Sequence, residues 1–303
     1  MKRDFLDVTD FTAEEIHQVL RLAVDLKRKQ KKGKAHPFLK GKTLAMIFQK
    51  PSTRTRISFE TGMFQLGGHG ITISPDEMGL GKREAVADVA RVLSRYNDGI
   101  MARVFGHDIL TDLAKHASIP VINGLSDWSH PCQILGDMLT ILEHRGGFDG
   151  MKVAWIGDGN NVAHSWIHMA MRIPMELALA CPAGYDPDKQ LLERARKTGA
   201  GRVEVFRDPE KAASDADVLY TDVWASMGQE KEAARRRKAF RNFQINDKLV
   251  RKAKPNALVM HCLPAHRGEE ISESVLEGPR SIVFDEAENR LHAQKAVLVK
   301  LLT

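Results

Sequence analysis

Hydroxyl and guanidinium side chains are concentrated in one short segment, STRTR at positions 52–56. The apolar run 43–48 before it is typical of a buried strand, and apolar residues recur at helical spacing after it, so the segment should begin a helix. A helix N-terminus presents unpaired N–H groups and partial positive charge, to which hydroxyls and guanidiniums add further donors. This combination predicts a phosphate-binding site. The alternative is a Ser/Thr helix cap beside solvated arginines.

His130 and Gln133 form a second candidate pair. They stand three residues apart at the start of a predicted helix, 131–144, so their side chains share one face. An imidazole N–H and an amide N–H aimed at one point can hold a carbonyl oxygen that becomes negative during acyl transfer. The alternative is an N-terminal cap with a surface histidine, and these two residues alone leave the choice open.

Three polar or thiol side chains stand at the ends of predicted strands: Arg103, Asp222 and Cys262. Strand ends on one side of a parallel sheet point into the crevice where ligands bind. Arg103 suits an anion, although a lone arginine can also form a surface ion pair. Asp222 suits an ammonium group, with a turn or a helix cap as the alternative. A free cysteine such as Cys262 is commonly a small core residue.

Neither a metal nor a nicotinamide cofactor is expected. His261 and His266 lie near Cys262 in sequence, but no second cysteine or spaced carboxylate completes a metal site. The glycine-containing segment 157–162 is close to a dinucleotide fingerprint, yet Val162 occupies the third glycine position and no acidic residue closes the following strand.

Four segments, in this order, resemble the motifs of the aspartate/ornithine carbamoyltransferase family: STRTR at 52–56, HPCQ at 130–133, DVWASMG at 222–228 and HCLP at 261–264. The last two are similar to its ornithine branch. The resemblance extends over nearly the whole chain. It implies transfer of a carbamoyl group from carbamoyl phosphate to the side-chain amine of L-ornithine, with no metal or organic cofactor and no covalent thiol intermediate.

The resemblance also assigns residues to the two substrates. For carbamoyl phosphate it implies Ser52, Thr53, Arg54, Thr55, Arg103, His130, Gln133, Cys262, Leu263 and Arg290. Among these it implies catalytic roles for Arg54, Arg103, His130, Gln133 and Cys262. For ornithine it implies Asn161, Asp222, Ser226 and Met227. A homotrimer, or a multiple of trimers, is expected because the family forms trimers.

One position departs from the family pattern. Gly79 stands where ornithine enzymes of the family usually carry a glutamine, so a direct amide contact with carbamoyl phosphate is missing. Lys82, three residues further on, is the candidate substitute for that contact. In a trimer, Lys82 is expected to reach the site of a neighbouring subunit.

Related functions stay open at this point. Transfer to N-acetylornithine or putrescine is the closest alternative, although Asp222 and the segment 226–227 favour a free α-amino acid. A catalytically silent anion-binding homologue is the other alternative. Such a protein would be expected to have lost one of the residues on which the reaction depends, and the chain retains Arg54, Arg103, His130 and Gln133.

Composition narrows the class of protein further. The formal net charge is +6, but the basic residues are spread along the chain and only 6% of residues are aromatic, so a small anionic substrate fits better than a nucleic acid. Three cysteines without a CxxC pair indicate reduced thiols. The N-terminus lacks the apolar core of a signal peptide, and no run approaches the roughly 18 apolar residues of a membrane span. A soluble, cytoplasmic protein is expected.

Predicted strands alternate with helices along the chain, which indicates parallel sheets covered on both faces. One series of strands is expected within 43–123 and a second within 152–261. The fold class is therefore α/β, with two doubly wound domains, each a mainly parallel sheet flanked by helices, linked by interdomain helices. We expect a carbamoyl-phosphate-binding domain at 1–145 and an ornithine-binding domain at 146–288. The family resemblance further implies that a C-terminal helix at 289–303 packs back on the first domain.

One basic stretch, RRRK at 235–238, follows the predicted ornithine loop. A run of like charges is usually solvated. We therefore expect it in the exposed part of a mobile loop.

Overall fold

The computed structural model describes residues 2–74, 84–226, 228 and 230–303. The chain divides into two compact units. The first contains the residues up to Leu139 together with Glu288–Thr303, and the second contains Thr140–Ala287. Each unit is built around one parallel sheet.

The first sheet has four parallel strands within the described residues. They are β1 (Thr43–Phe48), β2 (His69–Ile73), β3 (Gly99–Arg103) and β4 (Val121–Leu125). Their order across the sheet is β2-β1-β3-β4. The chain moves outward from β1 to β2 and then returns to the other side of β1, which creates a topological switch point between β1 and β3.

Strand β1 is apolar because both of its faces are covered. Ala45 and Ile47 belong to a core that includes residues of α3 (Val86–Tyr96) and α4 (His107–His116). The alternate side chains, Leu44 and Met46, are also fully buried, and α2 (Thr53–Gln65) packs along β1 and β2. A strand of this kind shows no polar face in its sequence, and for this reason the run 43–48 could be predicted as a buried strand.

Two further helices belong wholly or partly to the first unit: α1 (Ala13–Lys31) and α5 (Pro131–Arg145). A short 3₁₀ helix, Val8–Asp10, precedes α1. Helix α1 begins at a capping box, in which Thr12 Oγ1 accepts the Glu15 N–H at 3.2 Å and Glu15 Oε2 accepts the Thr12 N–H at 2.9 Å.

The second sheet has five parallel strands in the described part of the chain. They are β5 (Lys152–Ile156), β6 (Glu176–Ala180), β7 (Arg202–Phe206), β8 (Val218–Thr221) and β9 (Leu258–His261). Their order is β7-β6-β5-β8-β9, and all neighbouring pairs are parallel. The switch point of this sheet therefore lies between β5 and β8.

In the described segments, the helices after α5 follow the strands singly after β5, β6 and β7 and in pairs after β8 and β9. They are α6 (Asn161–Ala170), α7 (Lys189–Thr198), α8 (Pro209–Ala213), α9 (Ala233–Phe240), α10 (Asp247–Val250), α11 (Glu273–Leu276) and α12 (Val283–Leu302). A 3₁₀ turn, Glu230–Glu232, precedes α9. Helix α12 begins in the second unit and ends in the first.

The α/β class with two parallel, helix-flanked sheets is confirmed. The final helix begins at Val283, earlier than the predicted start at 289. Its first turn carries Asp285 and Glu286, and acidic side chains stabilise a helix N-terminus. The compact units divide after Leu139, within α5, whereas the predicted boundary lay at 145.

None of the helices in the described ranges combines the length and the apolar character needed to cross a lipid bilayer.

Candidate active site

The predicted phosphate motif lies at the switch point of the first sheet. Strand β1 ends at Phe48 and α2 begins at Thr53, while Arg103 is the last residue of β3 and pairs in register with Phe48. Because β1 and β3 are parallel neighbours, the residues that follow β1 are brought beside the end of β3. Residues far apart in the chain therefore meet at one edge of the sheet.

Ser52 is the N-cap of α2. Its Oγ accepts the Thr55 N–H at 3.2 Å. Thr53 and Arg54 are exposed in the first turn, whereas Thr55 is buried. The cap interpretation therefore holds for Ser52, but one cap leaves other first-turn N–H groups and two exposed donor side chains for a ligand.

Two arginines meet at Thr55. Arg103 Nη1 lies 3.5 Å from Thr55 Oγ1, and Arg290 Nη2 lies 3.3 Å from the same oxygen. Both arginines are almost completely buried, at 7% and 4% exposure. A buried guanidinium keeps its charge and is stable only with compensating partners. Two of them beside a helix N-terminus form a position suited to a multiply charged anion.

His130 is a neutral imidazole near this cluster. It immediately precedes α5 and is 4% exposed. Burial, followed by the charges of Arg290, Arg103 and Arg54, holds the pKa of His130 well below its ordinary value. A neutral imidazole keeps one N–H that can donate a hydrogen bond, and it adds no further positive charge to the two arginines.

The amide of Gln133 is held at both ends. Its Oε1 accepts a hydrogen bond from Arg290 Nη1 at 2.7 Å, and its Nε2 donates to Asp137 Oδ1 at 2.8 Å. Gln133 and Asp137 are 1% and 0% exposed. Gln133 was predicted from its motif, whereas Asp137 was not, although their spacing of four on α5 was a usable signal.

Arg290 reaches this position from α12, which contacts two other helices. Its Nε donates to Gln294 Oε1 at 3.1 Å, and Gln294 Nε2 donates to Ser58 Oγ of α2 at 2.7 Å. Helix α12 comes close to α5 at Gly136, where a Cβ would stand 3.3 Å from the Arg290 backbone nitrogen, which is a tight contact. Helix packing and hydrogen bonds thus both fix the position of the Arg290 guanidinium.

The switch point of the second sheet carries the candidates for amino-acid binding. Asp222 follows β8, and Cys262 follows β9. Asp222 Oδ1 accepts from Cys262 Sγ at 3.0 Å and from the Val223 N–H at 2.8 Å, while Oδ2 accepts from Asn160 Nδ2 at 2.8 Å. The carboxylate is 8% exposed and is fixed by these three donors.

Asn160 is a site residue that the sequence analysis missed. It is the N-cap of α6, and its Oδ1 accepts the N–H groups of Val162 and Ala163 at 2.9 and 3.1 Å. Its amide nitrogen therefore remains directed at Asp222, which links the helix terminus to the carboxylate. The predicted neighbour, Asn161, is the first residue of α6 and is half-buried, as is Ser226 in the loop after β8.

The prediction of a solvated mobile loop at 235–238 is wrong, because these residues lie in α9. Arg236 is 7% exposed, donates from Nη1 to Asp158 Oδ2 at 2.7 Å and to the Trp224 carbonyl at 2.9 Å, and lies over the Tyr185 ring. The other three basic residues of the run are exposed, so the run as a whole has the composition of a surface. Arg236 ties α9 to the loop between β5 and α6.

The expectation that no carboxylate accompanies His261 and Cys262 also needs correction. Asp222 lies with them, and one potential ligand atom from each falls within 4.8 Å of the others. The sequence could not indicate this because Asp222 follows a different strand. Hydrogen bonds already engage the histidine, whose Nδ1 accepts the Leu263 N–H at 2.8 Å and whose Nε2 lies 3.2 Å from Glu270 Oε1.

Leu263 has a left-handed backbone, with φ of +55°, which is uncommon for a residue other than glycine. Such backbones cluster at ligand-binding positions. Three other positions named by the sequence analysis, Gly79, Lys82 and Met227, lie outside the described residues.

The chain matches both domains described for aspartate/ornithine carbamoyltransferases: the carbamoyl-P binding domain over residues 3–143 and the Asp/Orn binding domain over residues 149–301. The ornithine carbamoyltransferase of Pelobacter propionicus is 56% identical over 302 residues, covering 100% of this chain and 99% of that protein. The anabolic ornithine carbamoyltransferase of Pyrococcus furiosus is 55% identical over 303 residues, covering 99% and 96%. A solved structure of the Pyrococcus furiosus ornithine carbamoyltransferase superposes with a TM-score of 0.94 at 56% identity, covering 98% of this chain and 96% of that one. The chain therefore belongs to the aspartate/ornithine carbamoyltransferase family.

Proposed function

We propose that the protein transfers the carbamoyl group of carbamoyl phosphate to the side-chain amine of L-ornithine, giving L-citrulline and phosphate. The observation that carries this proposal is the meeting of Arg103 and Arg290 on Thr55 at the N-terminus of α2, with a neutral His130 nearby. Membership of the family supports the reaction, and the anabolic relative supports a role in arginine biosynthesis.

The first unit is the proposed site for carbamoyl phosphate. The phosphate is held by first-turn N–H groups and by the donors Ser52, Thr53, Arg54, Thr55, Arg103 and Arg290. His130 and Gln133 donate N–H groups to the carbonyl oxygen. That oxygen becomes negative as the nucleophile adds. One well-placed hydrogen-bond donor lowers the activation barrier by roughly 3–4 kcal/mol.

The second unit is the proposed site for ornithine. Asp222 binds the α-ammonium group, and the amino-acid end is completed by Asn161, Ser226 and Met227. Cys262 and Leu263 contact both substrates. The uncharged side-chain amine attacks the carbonyl carbon, so that a C–N bond forms while the C–O bond to phosphate breaks, and the departing phosphate takes up the proton that the amine loses. Holding the two substrates together lowers the barrier by about 7–11 kcal/mol, and every step uses only side chains and substrates.

The amine that accepts the carbamoyl group tests the specificity. Asp222 needs a free α-ammonium group, which N-acetylornithine lacks, whereas putrescine keeps the corresponding amine and lacks the α-carboxylate. With carbamoyl phosphate at saturation, carbamoylation should be fastest with L-ornithine and far slower with N-acetylornithine, putrescine and L-aspartate. As a matched control, Asp222→Asn keeps a side chain of the same size and should raise the KM for ornithine without changing the rate with N-acetylornithine, which has no α-ammonium group to lose its partner. Equal rates with ornithine and N-acetylornithine in the unaltered protein would contradict the assignment of Asp222.

A catalytically silent homologue is distinguished by separating binding from turnover. Isothermal titration with carbamoyl phosphate measures binding, and a citrulline assay with both substrates measures transfer. The proposal expects both signals. Tight binding without citrulline would identify an anion-binding protein instead.

The assembly and the compartment are also proposals. A homotrimer is supported by the family and by two apolar side chains on one face of α2, Ile57 and Phe64, which are 49% and 81% exposed in the single chain. Light scattering coupled to gel filtration should give the mass of a trimer or a multiple of it.

Lys82→Ala should raise the KM for carbamoyl phosphate if this residue replaces the missing glutamine contact. Cell fractionation tests the expected cytoplasmic location.

A further inference from the structure

We propose that Asp137 is a positioning residue that makes the Gln133 amide present its N–H, and not its oxygen, to the reacting carbonyl group. This inference rests on the proposed function, because it adds a residue to the same reaction.

The two partners of Gln133 determine which way its amide points. Arg290 donates to Oε1 at 2.7 Å, and Asp137 accepts from Nε2 at 2.8 Å. A guanidinium can only donate hydrogen bonds, and an ionised carboxylate can only accept them. A flipped amide would set donor against donor at Arg290 and acceptor against acceptor at Asp137. The chemistry of the partners therefore assigns the orientation.

Burial makes this orientation strict. Gln133, Asp137 and Arg290 are 1%, 0% and 4% exposed. Water is not at hand to replace a lost partner, and a buried polar group without its hydrogen bond is strongly unfavourable. The bond from Arg290 involves a charged group, which makes it stronger than a bond between neutral groups. The amide is thus held between a guanidinium at its oxygen and a carboxyl group at its nitrogen.

The orientation matters because of where charge develops in the reaction. An amide nitrogen carries two N–H groups, and the bond to Asp137 uses one of them. The second N–H can serve the carbonyl oxygen as it becomes negative. If the amide were reversed, its own oxygen would face that negative charge. Loss of one such donor typically lowers kcat by about 10²–10³-fold.

The helix supplies the spacing. Gln133 and Asp137 are four residues apart on α5, so their side chains lie on the same face. Gly136, between them, allows the backbone of α12 to approach and bring Arg290 to the amide oxygen. One turn of α5 therefore carries the acceptor, the oriented amide and the gap that admits the arginine.

Two substitutions of similar size separate an acceptor role from other roles. Asp137→Asn retains an oxygen that can accept the Gln133 N–H, whereas Asp137→Leu cannot accept a hydrogen bond. We expect Asp137→Leu to lower kcat by at least about tenfold, with the KM for ornithine within about threefold of the unaltered protein, and Asp137→Asn to recover most of the rate. Equal losses in both variants, or no loss in Asp137→Leu, would overturn the proposal.

A stability control and a double-mutant cycle complete the test. Met138→Ala removes a buried apolar side chain from the next position of α5, so it should lower Tm while leaving kcat within about twofold. If Asp137 acts through Gln133, the variant Gln133→Ala should lose activity and adding Asp137→Leu should reduce kcat no further. If the loss of kcat in the double variant equals the product of the losses in the two single variants, the proposal is contradicted. The unaltered enzyme's citrulline rate tests the proposed function separately.

A donor–acceptor exchange keeps the proposal testable should Asp137→Leu fail to fold. Gln133→Glu places two carboxylates against each other and should lower Tm. Combining Gln133→Glu with Asp137→Asn restores a donor facing an acceptor and should recover Tm, while kcat stays low because the N–H for the carbonyl oxygen is missing. Recovery of kcat together with Tm, or no recovery of Tm, would overturn the proposed geometry.

Discussion

Arg290 Nη1 donates a hydrogen bond to Gln133 Oε1 at 2.7 Å, although 157 positions separate the two residues. The contact exists because α12 returns to the first unit and lies against α5 at Gly136. The last helix of the chain therefore helps to form the switch-point site of the first sheet. Changes to the packing of α12 against α5 should therefore alter the KM for carbamoyl phosphate.

Gly136→Ala tests this packing. The added Cβ would stand 3.3 Å from the backbone nitrogen and from Cδ of Arg290, so Arg290 would have to give way by a few tenths of an ångström. We expect the free energy of unfolding to fall by about 1–3 kcal/mol and the KM for carbamoyl phosphate to rise. Urea denaturation and steady-state kinetics measure the two effects. Gly147→Ala is the control, because a Cβ at 147 meets no atom within 4 Å. Unchanged KM in Gly136→Ala would show that Arg290 tolerates the shift.

The pH dependence of turnover should follow the substrate and not a histidine. The pKa of His130 lies well below its ordinary value, so this residue is neutral across pH 6–9. The attacking amine, with a reference pKa near 10.4, is uncharged in a fraction that rises about tenfold per pH unit in this range. We expect kcat/KM for ornithine to rise steadily from pH 6 towards about 8–9. A flat profile, or an inflection near 6.5, would contradict the neutral-amine step or the assignment of His130.

His292 should make the fold sensitive to acid. It is fully buried in α12, and burial, with the charges of Lys295 and Lys27, lowers its pKa to about 4. Because this value is below the ordinary 6.5, the unfolded chain binds more protons between pH 6.5 and 4, and stability is lost as the pH falls through this window. The loss attributable to His292 should be about 2–3 kcal/mol.

His292→Leu measures that contribution. Neither ring nitrogen meets the geometry of a hydrogen bond among the described residues, although Nε2 lies 3.5 Å from Glu288 Oε1, so an apolar side chain should be tolerated there. Urea denaturation at several pH values should give a weaker loss of stability towards pH 4 in His292→Leu than in the unaltered protein. Part of the dependence should remain, because the pKa of His130 is shifted in the same direction. Identical pH dependence in both proteins would contradict the role of His292.

Arg236 and Arg237 provide a matched pair in α9. Arg236 is buried on Asp158, whereas Arg237 forms an exposed ion pair with Glu269 at 2.8 Å. Arg236→Gln leaves a buried carboxylate without its counter-charge and should destabilise the protein by about 3–5 kcal/mol. It should also raise the KM for ornithine, because Asp158 lies in the loop that carries Asn160. Arg237→Gln should change stability by less than about 1 kcal/mol. Similar effects in both variants would contradict the structural role of the buried Arg236–Asp158 ion pair.

The sequence was most informative where the pattern is local. The run 43–48 is apolar because both faces of β1 are buried, and the donors that follow it stand at a helix N-terminus as predicted. Strand alternation predicted two parallel sheets, and the parallel arrangement explains why Arg103 meets the motif at 52–56.

The sequence was least informative where a residue's role depends on a distant partner. Asp137 and Asn160 look like ordinary helix and cap residues until Gln133 and Asp222 are placed beside them. Arg236 was misjudged because its three basic neighbours are solvated and its own partner, Asp158, precedes it by a long stretch of chain. Charge composition describes the average of a segment, whereas burial is decided residue by residue in the folded protein.

Citrulline formation by the unaltered protein and by Arg54→Ala tests the central claim most directly. Arg54 is exposed in the first turn of α2, so its truncation should leave the fold intact, and a thermal melt checks this. With carbamoyl phosphate and L-ornithine supplied, the unaltered protein should form citrulline, and Arg54→Ala should do so more slowly by roughly 10²-fold or more. An undiminished rate in Arg54→Ala, or no citrulline from the unaltered protein, would contradict the account.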